Sequence, residues 1–155
     1  MRRKKVKWGI CDIFAIPLKN GKYSIGHILD QRMVNTLRIA LFDEIFEVLE
    51  NIKVDEICDN NKLISLIEVT KVQVDYGVWK IIGNKKSLIP IGDYPNEKFR
   101  KSNFVGSIVY DAGLAEDFVD AFYSLAPWDN WYDPNFLDEF LVNKIKKPRN
   151  LIYTK

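Results

Sequence analysis

The sequence has one histidine, two cysteines and no apolar run long enough to cross a bilayer, and each scarcity excludes a class of function. A membrane-spanning helix needs roughly 18 or more nearly uncharged apolar residues, and charges interrupt every hydrophobic run of this chain well before that length. With His27 as the single histidine, Ser-His-Asp and Cys-His nucleophile systems and multi-histidine metal sites lose most of their candidates. A lone histidine on a strand face is read as structural. Cys11 and Cys58 stand far apart in a chain large enough to fold without staples, so no disulfide framework is implied and both read as buried free thiols. There is no Cys-x-x-Cys pair, no P-loop and no Gly-x-Gly-x-x-Gly between a strand and a helix, so the residues point to no metal or cofactor. No repeat or Gly/Ser-rich linker divides the 155 residues, which predicts one domain with residues 1–7 and 146–155 as basic tails. The opening Arg2-Arg3-Lys4-Lys5 resembles the start of a signal peptide, but Lys7 and Asp12 break the apolar stretch that should follow, and this predicts a cytoplasmic protein.

What is present is enough apolar and aromatic material to build a core, at 47% and 13% of the residues. From Trp8 to Asp30 the apolar positions alternate at period two around Asn20-Gly21, the strongest short signal for a β-hairpin with a type I′ turn. Leu37, Ile39 and Leu41 continue the alternation as a third strand. Ile45, Phe46 and Leu49 then take helical spacing, which predicts a short helix over 43–50. Residues 63–74 are rich in β-branched types and change parity between Val69 and Val72, as a bulge would produce. A further strand is expected over 78–82 after the turn at Tyr76-Gly77, then loop to Ser102, then strand composition over 104–110. Helices are expected over 114–125 and from Pro134 to about Lys144. The fold class is therefore α+β: a curved, largely antiparallel, barrel-like sheet with C-terminal helices packed on it.

Charge is distributed unevenly. Residues 111–140 hold eight carboxylates and no Lys or Arg, whereas residues 141–155 hold five basic residues and no acid. On the helix over 114–125, Leu114, Phe118, Ala121, Phe122 and Leu125 share one side, and Glu116, Asp117 and Asp120 share the other. The spacing of Asp117 and Asp120 would allow an acid/base pair, but it is commonplace on solvated helix faces. The following loop supplies Trp128, Asp129 and Trp131, and tryptophan is a favoured interface anchor. Glu116, Asp117, Asp120, Trp128, Asp129 and Trp131 together form the candidate partner-binding surface, whose negative field would steer a basic partner toward it. The opposing reading of the same residues is a solvated acidic face over core aromatics. The basic ends, Arg2 to Lys7 and Lys144 to Lys155, could contact phosphates. The aromatics that would stack on bases sit instead in the acidic segment, which argues against nucleic acid as the partner.

Two blocks of residues resemble the immunity protein 26 family of bacterial polymorphic toxin systems. One is Asp12-Ile13-Phe14-Ala15-Ile16-Pro17-Leu18 with Asn20-Gly21-Lys22-Tyr23, Gly26 and Ile28-Leu29, and the other is Trp79-Lys80-Ile81-Ile82-Gly83-Asn84. The run from Pro127 to Pro134 is similar to the family's C-terminal end. The first block departs from the expected pattern in one respect, because its Gly and Asp are separated here as Gly9-Ile10-Cys11-Asp12. The resemblance implies a cytoplasmic antitoxin that binds and blocks a cognate toxin domain without catalysis, and the acidic surface would suit a basic nuclease. The opening hairpin also looks like those of SH3-like barrels and small endoribonuclease toxins, so a small barrel that binds or cuts RNA is the alternative. A structural subunit of a larger assembly is a third.

Overall fold

A computed structural model describes residues 4–154, so Arg2, Arg3 and Lys155 of the expected basic ends lie outside the described residues. The opening alternation forms β1 (Asp12–Pro17) and β2 (Tyr23–Asp30), paired antiparallel with Ala15 opposite Ile25. At their turn, Gly21 takes φ +84° while its N–H donates to the Leu18 carbonyl at 3.0 Å, and the Leu18 N–H donates to the Lys22 carbonyl at 2.8 Å. Gly21 is thus the one residue of the Asn-Gly pair in the left-handed region, and the connection is a three-residue loop instead of the expected type I′ turn. Ahead of β1, the Gly9 N–H donates to Asp12 Oδ2 at 2.7 Å and the Asp12 N–H returns to the Gly9 carbonyl at 3.2 Å. The residues between Gly9 and Asp12 are accommodated in this closed turn, with Cys11 at φ +73°.

β3 (Thr36–Phe46) runs through the region expected to become a helix. Ile45 and Phe46 stay paired with Ser24 and Tyr23 of β2, and a register shift between Ser24 and Ile25 produces the spacing that imitates a helical period. β4 (Leu63–Thr70) is followed at once by α1 (Val72–Asp75), so the parity change after Val69 marks the end of the strand and not a bulge within it. β5 (Lys80–Asn84) pairs with β1 and lies at the opposite edge from β4. The order β4-β3-β2-β1-β5 is antiparallel throughout and open, with β4 and β5 as edges, so the expected barrel-like closure is not formed.

Residues 104–110 do not form the expected strand, because Phe104 and Gly106 take φ of +63° and +97°, which extended backbone forbids. The segment joins the β4 edge through Tyr110 alone, whose N–H donates to the Glu68 carbonyl at 2.9 Å and whose carbonyl accepts from Thr70 at 3.0 Å. α2 (Ala112–Phe122) follows, started by Asp111, whose carboxylate accepts the Gly113 N–H at 2.8 Å. The expected helix from Pro134 is two short 3-10 turns, Phe136–Phe140 and Lys144–Lys146. It is interrupted where the Val142 N–H leaves the helical path to pair with the Ile64 carbonyl on the β4 edge at 2.9 Å. Beyond it, the segment expected as a tail is bonded back: Trp128 donates to the Ile152 carbonyl at 2.8 Å, and Thr154 donates to Asp129 through both its N–H and its hydroxyl.

Both faces of the sheet are covered. On one, Phe14, Ile28, Ile39 and Trp79 share a core cluster with Phe118, Val119, Trp128 and Phe140. On the other, Ile13, Ile25, Ala40 and Phe42 pack with Ile57, Cys58 and Ile89 from the connecting segments. Two covered faces explain why the positions between the alternating apolar residues of β1 to β3, such as Ile13, Ala15 and Ala40, are also buried. Each fully buried Ile, Leu or Phe contributes on the order of 1.5–3 kcal/mol. Phe14 stacks on Trp79 with ring centroids 5.0 Å apart and planes 12° from parallel. Its ring passes directly over Gly26, where a Cβ would meet Phe14 Cζ at 2.3 Å. Gly26 is therefore required by close approach.

Candidate partner-binding surface

The helical period of α2 does bury Phe118, Val119, Ala121 and Phe122, but it divides the three acids. Glu116 is held inside the fold, accepting from Gln73 Nε2 at 3.0 Å and from Trp79 Nε1 at 3.1 Å. Asp120 is buried and accepts the Lys19 backbone N–H at 3.0 Å, which ties α2 to the β1–β2 loop. Asp117 faces outward and makes no hydrogen bond or ion pair among the described residues. Partial desolvation raises its carboxyl, an effect opposed by Lys19 and reinforced by Asp120.

The loop aromatics divide in the same way. Trp128 is a core residue, 1% exposed, with Nε1 donating to Asp138 Oδ1 at 2.7 Å. Burial works against the Asp138 charge, but the Lys147 ammonium at 2.8 Å and the Trp128 N–H hold its carboxyl below the usual range. Asp129 anchors Thr154 at 2.7 and 3.0 Å. Trp131 is half-buried, braced against Phe136 at 5.0 Å, and the neighbouring Tyr132 is fully exposed. Of the six candidates, Asp117 and Trp131 converge: with Lys19, Pro127 and Asn130 they line a shallow depression of about 180 Å³. Asp117 thus stands at this depression with Lys19 as a basic neighbour and Trp131 as an aromatic one.

The remaining chemistry-bearing residues are held in the scaffold. His27 Nε2 lies 3.0 Å from the Cys11 carbonyl and 2.6 Å from the Lys85 carbonyl. With two acceptors facing it, that nitrogen carries the proton and donates, and burial lowers the ring's affinity for a second proton. Cys58 is buried, its thiol pushed up to about 12 by burial and then by Glu44, whereas Cys11 is partly exposed, contrary to expectation. Periodicity gave no sign of a charged network on the second sheet face. There, Arg38, 2% exposed, binds Asp30 and Glu97, while the fully buried Glu68 accepts from Arg32, Thr36 and Asn96. The network fastens residues 95–104 to the sheet, and Arg32 lies 4.4 Å over the Phe104 ring. Its one legible signal was the presence of Arg38 and Glu68 at inward strand positions, opposite one another across β3 and β4.

No curated protein and no solved structure matches the chain. The family model for immunity protein 26 matches residues 11–94. That span is more than half of the chain and contains all five strands and α1. The chain belongs to the immunity protein 26 family.

Proposed function

We propose that this immunity protein binds a cognate toxin domain of a bacterial polymorphic toxin system in the cytoplasm and blocks it by occupancy, without catalysis. The observation that carries the reading is the family match across the whole sheet. On this reading the outward part of the acidic segment, Asp117 and Trp131 with the exposed Tyr132 beside them, is a contact surface for a basic toxin domain such as a nuclease. Glu116, Asp120, Trp128 and Asp129 shape that surface from beneath through the bonds they make within the chain.

The test is titration of the purified protein with a candidate cognate toxin domain, sought first among the products of neighbouring genes, at low salt and at about 0.5 M salt, where exposed charges are screened. Wild type binds, and the Asp117→Lys variant associates more slowly at low salt, with the difference closing at high salt. Equal association of the variant at both salts removes this surface from the account. Absence of wild-type binding removes the toxin.

A further inference from the structure

The segment joining β3 to β4 folds around a second concavity, of about 460 Å³, that shares no residue with the depression at Asp117. Glu44, near the end of β3, lines it and is 7% exposed. Its Oε1 accepts the Cys58 N–H at 2.7 Å, and among the described residues no donor reaches its Oε2. Burial pushes this carboxyl up, the Cys58 N–H and Lys62 opposing the rise. Oε2 is not sealed off, since it is not among the enclosed side-chain atoms that lack a partner, so it is the atom of this mostly buried carboxylate that an incoming donor can reach.

The rest of the pocket has the complementary character. Phe46, Ile52 and Ile57 supply apolar wall, and Glu47, Glu50 and Glu56 add carboxylates. Against these four acids stand two ammonium groups, Lys53 and Lys62, while Glu47 is also within 3.7 Å of Lys22 in an exposed pair. Val48, also lining the pocket, is 60% exposed. A net negative, partly apolar pocket excludes phosphate groups. Carboxylates set beside apolar wall suit an organic cation, whose charge meets the former and whose carbon stem lies along the latter.

We infer that this pocket receives an arginine side chain presented by the toxin domain, its guanidinium meeting Glu44 Oε2 and the neighbouring carboxylates while its methylenes lie along Phe46 and Ile52. The guanidinium suits the site better than an ammonium. It presents five donors in a planar fork, is more weakly hydrated, and can satisfy several carboxylates at once. The pocket lies within the residues matched by the family model, unlike the acidic helix and the Trp-rich loop. The inference rests on the toxin-binding reading for the identity of the partner, but the arginine site itself can be tested without the toxin.

The probe is the peptide acetyl-Gly-Arg-Gly-amide, compared with its citrulline counterpart, which has the same shape and no charge. In amide-resolved NMR at concentrations on the order of 10 mM, the arginine peptide shifts the Cys58 amide, which reports on the Glu44 carboxylate, and the citrulline peptide does not. Glu44→Gln, which keeps the acceptor for Cys58, abolishes the response. Equal shifts with both peptides, or shifts away from residues 44–62, overturn the inference. In the second arm, Glu44→Gln weakens the toxin complex roughly 30-fold or more, as expected for loss of a desolvated charge partner. If wild type fails to bind the toxin while the arginine response persists, the toxin reading fails and the arginine site stands. If wild type binds the toxin and Glu44→Gln binds equally well, the site is not the contact.

Discussion

Gly26→Ala should destabilise the fold through a single identifiable contact. The new Cβ would lie 2.3 and 2.4 Å from Phe14 Cζ and Cε2 and 3.1 Å from Leu41 Cδ2, all on side chains that are fully buried. Phe14 cannot withdraw, because its far face is stacked on Trp79, and Trp79 is fixed in turn by its N–H bond to Glu116. Overpacking of a well-filled core costs about 1–3 kcal/mol, and the lack of any exposed neighbour places this site toward the upper end. For a chain of this length a cost of about 2–3 kcal/mol lowers Tm by roughly 5–10 °C. Equilibrium urea unfolding of wild type, Gly26→Ala, Phe14→Leu and the double variant forms a closed cycle. Shortening Phe14 to leucine removes the ring that the added methyl group strikes, so the double variant should be more stable than the sum of the single losses by about 1 kcal/mol or more. A Gly26→Ala loss under about 0.5 kcal/mol, or strict additivity in the cycle, would refute the close-packing argument.

Other outcomes follow from particular bonds. Glu116→Ala leaves the Trp79 N–H and the Gln73 amide without their acceptor, and should cost about 1–3 kcal/mol in urea unfolding; an unchanged midpoint contradicts the assigned role. Glu97 is held at about 2 by Arg100 and then Arg38, below its ordinary 4.5. Its contribution is present above pH 4.5 and lost as pH falls toward 2. The Tm difference between wild type and Glu97→Gln should therefore shrink over that window, and a difference independent of pH counts against the pairing. With its thiol pushed up to about 12, Cys58 should resist a thiol-specific disulfide reagent at about pH 8 until urea unfolds the chain, while the partly exposed Cys11 reacts in the native protein. Native-state labelling of Cys58 at the rate of Cys11 would contradict its burial.

Much of the sheet was legible because it rests on local signals. The alternation around Asn20-Gly21 and the apolar runs over 37–41 and 63–69 report strands directly, and α2 announces itself through Phe118 and Phe122 one turn apart. What was not legible depends on partners distant in sequence. Ile45 and Phe46 look helical until β2 is present to pair with them, and strand-like residues at 104–110 are overruled by positive φ at Phe104 and Gly106. The placement of β5 beside β1 is invisible to periodicity, because nothing in 76–84 tells which edge it will join. The candidate surface was legible only in part for a related reason. Helical spacing separates an apolar side from an acidic one, but it cannot show that Glu116 will bond Trp79, that Asp120 will bond Lys19, or that Trp128 will turn inward to Asp138. The pocket at Glu44 escaped notice because a helix over 43–50 lines Glu44, Glu47 and Glu50 along one solvated side, whereas the strand end and the following turn close them around a concavity with Phe46 and Ile52.

The central claim is neutralisation of a toxin, and its most direct measurement is survival. Cells expressing a candidate cognate toxin domain, sought first among the products of neighbouring genes, are scored for growth with and without co-expression of the protein. The account predicts that wild type restores growth, that Gly26→Ala restores it less as the folded population falls, and that combining Asp117→Lys with Glu44→Gln abolishes it in a protein that remains folded. Failure of soluble, folded wild type to protect against that toxin would contradict the account.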